Sequence, residues 1–320
     1  MLKRFSLLVL LWVTALWIVN PYTAVSQQYI GGALWENTTY SPNLNPYIVT
    51  EPVIVPQGVQ LTIEPGAKLL FMIGSSLLIE GGILHAEGTA SQPIQLTALN
   101  TQGDENRWNG VQFVNAHSVW DEQGNYLSGN ILRYVTLSKA TTGLLISDTA
   151  SIYIKDIQLL NNSYGLFIQS EGSIHFQHST IYECSYGLYL RNSSNNLIQE
   201  CNISHCDIGI FFPSNSNSRF NRILNNNISY NRNIALFLSL GQNSLQYNYI
   251  GNNTVTHNNI GLHIGNGGTA DRGYNTLENN IVRYNDIGIK LSQDADTLRG
   301  NELKYNGIGL LLSRATDNLI

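Results

Sequence analysis

Acidic and histidine side chains are the groups in this sequence that could carry acid–base or metal chemistry. The aspartates are spread along the chain, with examples at Asp148, Asp156, Asp207, Asp271 and Asp286. Acid–base catalysis and calcium binding both require two or three carboxylates within a few ångströms of one another. Because no motif gathers such a group, we predict no catalytic residue, no metal site and no cofactor.

The histidines lead to the same expectation. His175 and His178 are three residues apart, but no third ligand is close in sequence. His205 and His257 occupy equivalent positions of a repeated phrase, and Arg or Tyr side chains occupy that position between and beyond them. We therefore expect solvated turn histidines rather than metal ligands.

The composition limits the class of protein. The 320 residues are 43% hydrophobic and 12% charged, with a net charge of -5, which permits a folded core. Lys and Arg are scattered, so the basic surface that nucleic-acid binding requires is absent. Asn, Ser, Thr, Gly and Tyr replace much of the usual charge, and these residues favour turns and strands over helices.

The N-terminus has the pattern of an export signal. A basic segment at 3–4 precedes an apolar run at 5–19, and small residues at 24–26 suit cleavage. An uncleaved anchor is the alternative, but about 15 apolar residues are fewer than the roughly 20 that span a bilayer. We predict a signal peptide at 1–26 and an exported protein that is extracellular, on the cell surface or periplasmic. After cleavage we expect no membrane span.

A repeated phrase runs through the chain. Residues 195–210 read NNLIQECNISHCDIGI, and residues 274–289 read YNTLENNIVRYNDIGI. The glycine near its end returns every 21 to 27 residues, with alanine at one position. This period indicates a solenoid. The aligned positions are Gly143, Gly165, Gly187, Gly209, Ala235, Gly261, Gly288 and Gly309.

Alternation of apolar and polar residues predicts three short strands in each repeat. One strand follows the glycine, as in GLYL, one precedes it, and one follows a polar turn, as in YNTL. We predict an all-β fold, a right-handed parallel β-helix with about 22 residues and three strands per coil. An N-terminal cap segment is expected at 27–45 and the β-helix at 46–320. Its coils are expected to be irregular at 46–129 and to consist of regular Asn/Gly repeats at 130–320.

Two apolar columns are expected to fill the interior, one residue and three residues after the glycine. The first is Leu144, Leu166, Leu188, Ile210, Leu236, Leu262, Ile289 and Leu310. The second is Ile146, Ile168, Leu190, Phe212, Leu238, Ile264, Leu291 and Leu312.

Asparagine recurs at two turn positions, with cysteine as an occasional substitute. We expect stacked amides that hydrogen-bond across coils, and a left-handed backbone at these residues because asparagine tolerates it. Cys184 and Cys206 lie one coil apart, within reach of a disulfide, and we favour stacked free thiols. The columns are Asn162, Cys184, Cys206, Asn258, Asn285 and Asn306, and then Cys201, Asn253, Asn280 and Asn301.

An aromatic column is the best candidate for a binding site. Phe167, Tyr189, Phe211 and Phe237 occupy the outward position between the two apolar columns in four consecutive repeats, and His263 follows them. Exposed apolar stripes mark interfaces, and aromatic faces stack well on sugar rings. The alternatives are a stripe covered by the chain's own loops and simple strand propensity.

These repeats resemble those of secreted right-handed parallel β-helix proteins, which include pectate-lyase-like enzymes, mannuronan epimerases and periplasmic NosD-like proteins. Phrases such as NDIGI and NGIGL carry the resemblance over residues 130–320, and VPQGVQLTIEPGAKLLF looks like an N-terminal coil of bacterial surface members. The resemblance implies the fold but leaves the function open, because the repeat consists of core and turn residues. The DPHD string of the epimerases is absent.

Three functions are compatible with these features. We favour an exported non-catalytic protein that binds a polysaccharide or a cell-surface protein through the aromatic column. The first alternative is a polysaccharide lyase, hydrolase or epimerase, with His263, Asp271, Arg272 and Lys290 gathered near the GNGGTADRG loop at 265–273. The second is NosD-like copper-centre maturation, although Met72 is the only methionine after Met1.

Two insertions and the C-terminus complete the expectations. The segments 265–273 and 115–130 are expected to be flexible loops, with a binding role as the alternative. The sequence stops in mid-repeat at Ile320, so we expect continuation in a longer chain or end-to-end self-association through the uncapped last coil.

Overall fold

The computed structural model describes residues 27–100, 102–103, 105–171, 173–214, 216–239, 247–265 and 272–320. The predicted signal peptide and most of the 265–273 loop lie outside the described residues. Regular structure is almost entirely β-strand, with one turn of 3-10 helix at Pro42–Leu44. In the described ranges, no helix has the length and apolar character needed to cross a membrane.

The chain forms a right-handed parallel β-helix of about 12 turns, with about 23 residues per turn, as predicted. Each turn contributes one strand to each of three faces, and strands on a face pair in parallel with the turns before and after. The segment 27–45 also takes part, since β1 (Gln28–Ala33) pairs with β3 (Tyr47–Pro56).

Face 1 is an 11-stranded sheet. Its strands are β2 (Thr38–Tyr40), β4 (Gln60–Ile63), β7 (Ile83–Glu87), β12 (Ile131–Arg133), β15 (Ile152–Lys155), β18 (Ile174–Gln177), β21 (Leu197–Gln199), β24 (Arg222–Leu224), β27 (Tyr249–Gly251), β30 (Thr276–Glu278) and β33 (Thr297–Arg299).

Face 2 begins with the first half of β3. It continues with β5 (Lys68–Phe71), β8 (Ile94–Ala98), β13 (Val135–Ser138), β16 (Gln158–Leu160), β19 (Thr180–Tyr182), β22 (Asn202–Ser204), β25 (Asn227–Ser229), β28 (Thr254–Thr256), β31 (Ile281–Arg283) and β34 (Glu302–Lys304).

Face 3 begins with the second half of β3 and carries the aromatic column. It continues with β6 (Leu77–Glu80), β9 (Val111–Val114), β14 (Thr142–Asp148), β17 (Tyr164–Ser170), β20 (Tyr186–Leu190), β23 (Ile208–Phe212), β26 (Ile234–Leu238), β29 (Ile260–Ile264), β32 (Ile287–Leu291) and β35 (Ile308–Leu312). The insertion at 115–130 forms a hairpin from β10 (Ser118–Trp120) and β11 (Tyr126–Gly129).

The two predicted apolar columns are the core of face 3. Their side chains are fully buried in every coil from Leu144 to Leu291. In the last coil Leu310 is half-buried and Leu312 is exposed. The repeating glycine is required by close packing, because a Cβ on Gly165 would lie 2.5 Å from the carbonyl oxygen of Gly187 in the next coil.

Asparagine ladders lie at all three corners of the coil, where two had been predicted. In each ladder the side-chain Oδ1 accepts a hydrogen bond from the backbone N–H of the equivalent residue one coil earlier. The ladder between faces 2 and 3 also includes Asn231, and the ladder between faces 1 and 2 includes Asn226. The third precedes face 1 and consists of Asn196, Asn221, Asn248, Asn275, Asp296 and Asn318.

The expected left-handed backbone at the ladder residues is wrong. Positive φ angles occur one residue earlier, for example 57° at His257 before Asn258 and 58° at Tyr284 before Asn285. The chain turns the corner at that preceding residue, whose side chain points outward. The side-chain amide of the next residue, the asparagine, is then buried and hydrogen-bonded. The asparagines are therefore selected for their hydrogen bonds, which satisfy backbone groups at each corner.

The three cysteines occupy ladder positions as buried free thiols, which is the arrangement that we favoured. Cys206 N–H donates to Oδ1 of Asn231, and Cys201 N–H donates to Oδ1 of Asn226. Burial raises the pKa of Cys201 to about 12. A hydrogen bond with Cys184 and burial raise the pKa of Cys206, so both thiols stay protonated.

Candidate binding face

The aromatic column lies on face 3 in the predicted register. Phe167 pairs with Tyr189, Tyr189 with Phe211, and Phe211 with Phe237 on adjacent strands. His263 follows Phe237 in the next coil. Since neighbouring parallel strands are about 4.8 Å apart, the rings form one continuous row along the axis of the β-helix.

Two tyrosines that the sequence did not indicate widen this row. Tyr164 and Tyr186 stack on each other with ring centroids 5.2 Å apart and planes 8° apart. Both rings also contact Tyr189 edge to face, with centroid distances of 5.4 and 5.5 Å. Alternation of buried and exposed residues breaks at the glycine, because Gly165 and Leu166 are both buried, so the pattern does not show that the tyrosines and the column share a surface. We call the group the aromatic face: Tyr164, Phe167, Tyr186, Tyr189, Phe211 and Phe237.

Contacts between rings hold the aromatic face in shape. Tyr189 meets Phe167 at 4.7 Å and Phe211 at 5.4 Å, both in edge-to-face geometry. Phe211 lies 5.4 Å from Phe237. Such offset and edge contacts are the favoured arrangements of aromatic pairs. Burial raises the pKa of the Tyr189 hydroxyl, so the hydroxyl stays protonated and can donate or accept hydrogen bonds.

The aromatic face is half-buried rather than fully solvent-facing, which differs from the sequence expectation. Each ring covers part of its neighbours, so all six side chains have intermediate exposure. The surface is therefore a row of partly exposed rings that pack face to face or edge to face against one another.

His263 differs from the expectation more strongly. Its side chain is only 7% exposed, and its ring stacks on Phe237 at 4.4 Å with planes 5° apart. Burial and the charge of Lys290 lower the pKa of His263 to about 4. The imidazole is therefore neutral at neutral pH.

The residues considered for an enzyme site are only partly brought together. His263 and Lys290 pair on adjacent strands. Arg272 instead forms an ion pair with Asp317 at 3.0 Å, and Asp271 lies outside the described residues. Asp156 and Asp207 are paired with arginines on neighbouring coils. Within the described ranges, no cluster of three or more His, Cys, Asp or Glu side chains could hold a metal ion.

The turn histidines stack on aromatic rings or pair with a carboxylate. His205 and His257 belong to a row of stacked rings at the corner between faces 2 and 3, with Tyr230 between them at 5.5 and 4.6 Å. His178 forms an ion pair with Glu200 at 3.0 Å. His175 stacks under Trp120 at 4.3 Å, and burial lowers its pKa.

A cleft on face 1 was not expected from the sequence. The β10–β11 hairpin borders a cavity of about 500 Å³ whose lining includes Trp120, Asp121, His175 and Arg222. Asn125 donates hydrogen bonds to Asp121 from its side chain and its backbone, and these lower the pKa of that carboxyl. The insertion at 115–130 is thus an ordered hairpin, where a flexible loop had been expected.

Residues 110–271, just over half of the chain, match the family described as the right handed beta helix region. The chain belongs to this family. No curated protein matches the sequence.

Two solved structures illustrate the fold similarity. The periplasmic alginate epimerase AlgG is 13% identical with a TM-score of 0.50, and the alignment covers 86% of this chain and 78% of that one. The Dettilon tailspike protein (gp208) is also 13% identical with a TM-score of 0.51, with coverage of 83% and 61%. At this identity the similarity concerns the fold alone.

Proposed function

We propose that this protein is exported and binds a polysaccharide without catalysing its conversion, and that the aromatic face of six rings is the binding surface. The observation that carries this proposal is the row of preformed rings along the β-helix axis. Sugar rings present apolar C–H groups, and a row of partly exposed aromatic rings offers them apolar area without a deep pocket.

Fixed rings also reduce the cost of binding. Side-chain ordering on association costs about 0.5–1.5 kcal/mol for each immobilised flexible side chain. Tyr189 is already held by four neighbouring rings, so little of that cost remains. A polymer that lies along several coils can add contacts from each repeat, as multivalent binding requires.

The test is affinity electrophoresis of the purified chain in gels that contain neutral and acidic polysaccharides. We expect at least one polymer to retard the protein. Replacement of Tyr189 and Phe211 by serine should abolish that retardation. The matched control replaces Tyr230 and Tyr305 by serine. These exposed rings lie at the corner between faces 2 and 3, away from the aromatic face, so the retardation should stay unchanged. Equal loss in both variants would reject the aromatic face as the site.

A polysaccharide lyase, hydrolase or epimerase is the second candidate, and the face 1 cleft is the observation that favours it. Asp121, His175 and Arg222 line this cleft and represent the acid, base and cation types that such chemistry uses. Incubation with polysaccharides, followed by assays for unsaturated ends, reducing ends and epimerised units, tests it. Product formation that is lost in His175→Ala would favour this candidate over the non-catalytic one.

A further inference from the structure

Two polar side chains, an imidazole and an amine, continue the row of the aromatic face at its end. His263 on β29 continues the row after Phe237, and Lys290 on β32 occupies the next coil. The residue beyond Lys290 is Leu311. The row is therefore polar at His263 and Lys290, in two consecutive coils, and apolar again at Leu311.

His263 is buried without satisfying its polar atoms. The side chain is 7% exposed, and within the part of the chain that the structure describes neither Nδ1 nor Nε2 has a hydrogen-bond partner. A buried polar group without a hydrogen bond costs about 1–3 kcal/mol. Phe237 shows that a phenyl ring fits this column, so a histidine here loses stability unless another molecule completes its hydrogen bonds.

Lys290 has a positive charge and no counter-ion among the described residues. Two other cations of the last coils have carboxylate partners: Arg299 pairs with Glu278 at 2.7 Å and Lys304 with Glu302 at 3.1 Å. No carboxylate of the described residues lies within ion-pair distance of Lys290, whose side chain is half-buried beside His263. Its charge acts on His263 and contributes to lowering the pKa of the imidazole.

We propose that His263 and Lys290 form an anion subsite at the end of the aromatic face, which binds a carboxylate or sulfate substituent of a polysaccharide chain. This inference rests on the proposed function and adds the charge of the ligand to it. Lys290 supplies the cation. Both ring nitrogens of His263 are sealed from solvent, so binding requires the imidazole to turn outward until one N–H donates a hydrogen bond to the anion, and the six rings hold the adjoining sugar units. Charge-assisted hydrogen bonds are the strong ones at such sites.

The test compares charged polymers with neutral partners of the same backbone. Isothermal titration calorimetry would use polygalacturonate and its methyl ester for carboxylate, and dextran sulfate and dextran for sulfate. We expect wild-type protein to bind one charged polymer about ten- to hundredfold more tightly than its neutral partner. Lys290→Met should bring that ratio near one, because the affinity for the charged polymer falls.

Two further variants separate charge from folding. Lys304→Met removes a cation of the neighbouring face 2 and should keep the wild-type ratio. His263→Phe keeps a stacking ring without an N–H donor and should lower the affinity for the charged polymer by about tenfold. Melting temperatures of all variants, measured by circular dichroism, identify any loss that comes from unfolding.

The outcomes for the subsite and for the aromatic face are distinguishable. Equal binding of charged and neutral polymers by wild-type protein, or an unchanged ratio in Lys290→Met, would overturn the anion subsite and leave the aromatic face intact. Absence of binding to every polymer would overturn both proposals.

Discussion

Asp296 is an aspartate in a ladder of asparagines, and its replacement by asparagine should stabilise the protein in a pH-dependent way. The side chain is 1% exposed. Its Oδ1 accepts hydrogen bonds from the backbone and side-chain N–H groups of Asn275, at 2.9 and 3.1 Å, and its Oδ2 accepts one from Gln293 at 2.5 Å. Burial raises the pKa of Asp296 from 3.8 to about 6, although these hydrogen bonds oppose the shift.

The raised pKa of Asp296 gives the sign and the size of the expected change in the free energy of unfolding. A carboxyl whose folded-state pKa is raised stabilises the fold fully below its unfolded value near 4, and this contribution is lost as pH rises through about 6. A difference of about two pKa units corresponds to about 3 kcal/mol. Asp296→Asn removes the buried charge, so we expect a gain of about 2–3 kcal/mol at pH 8 and almost none at pH 3.5.

Geometry supports this substitution. An amide at position 296 keeps the Oδ1 that accepts from Asn275, and its new N–H group can donate to Oδ1 of Asn318, as in the other coils. Gln293 would turn its amide so that Oε1, which now has no hydrogen-bond partner, accepts from the new amide.

Urea unfolding at pH 8 and pH 3.5 measures the difference, with hydrogen exchange at β33 as a local probe because solenoids can open from one end. The matched control is Asp286→Asn, an exposed aspartate one coil earlier, which should change stability by less than about 0.5 kcal/mol. A variant that is less stable than wild type at pH 8, or a gain of the same size at both pH values, would refute the reasoning.

Three further predictions concern the core, the ladders and the thiols. Asn253→Leu should cost about 3 kcal/mol or more in urea unfolding, because the hydrogen bonds of its side-chain amide link three coils, whereas the exposed Asn202→Ala should cost under about 0.5 kcal/mol. Ile210→Ala should cost about 2–5 kcal/mol and the half-buried Phe211→Ser about 1–2 kcal/mol; equal costs would show that the aromatic face belongs to the core. All three cysteines should resist Ellman's reagent in the folded protein and react in urea, since they are buried. A hydrogen bond with Cys206 lowers the pKa of Cys184, so its resistance rests on burial alone, and a thiol that reacts in the folded protein would contradict this burial.

The core of this fold could be predicted from the sequence because equivalent residues of successive repeats stack on one another in a β-helix. A column such as Leu144 to Leu291 repeats at a fixed distance from the glycine, and alternation assigns it to the interior. The same regularity gave the row of Phe167, Tyr189, Phe211 and Phe237.

The features that the sequence did not predict are those with irregular spacing in the repeats and those set by tertiary packing. Asn231 was missed because one extra residue separates it from Ala235. The ladder that begins at Asn196 was missed because loops of variable length follow face 3, so its distance from the glycine is not constant. The burial of His263, and the lack of a carboxylate near Lys290 among the described residues, could not be predicted, since both depend on which side chains pack beside them.

The affinity of the folded protein for polysaccharide, with and without the aromatic face, tests the central claim most directly. Isothermal titration calorimetry should compare wild-type protein with a Tyr189→Ser/Phe211→Ser double variant and with a Tyr230→Ser/Tyr305→Ser control that has the same number of altered rings. We predict saturable binding by wild-type protein and by the control, and a loss of at least about tenfold in the Tyr189/Phe211 variant while its circular dichroism spectrum stays unchanged. Undiminished binding by that variant would contradict the account.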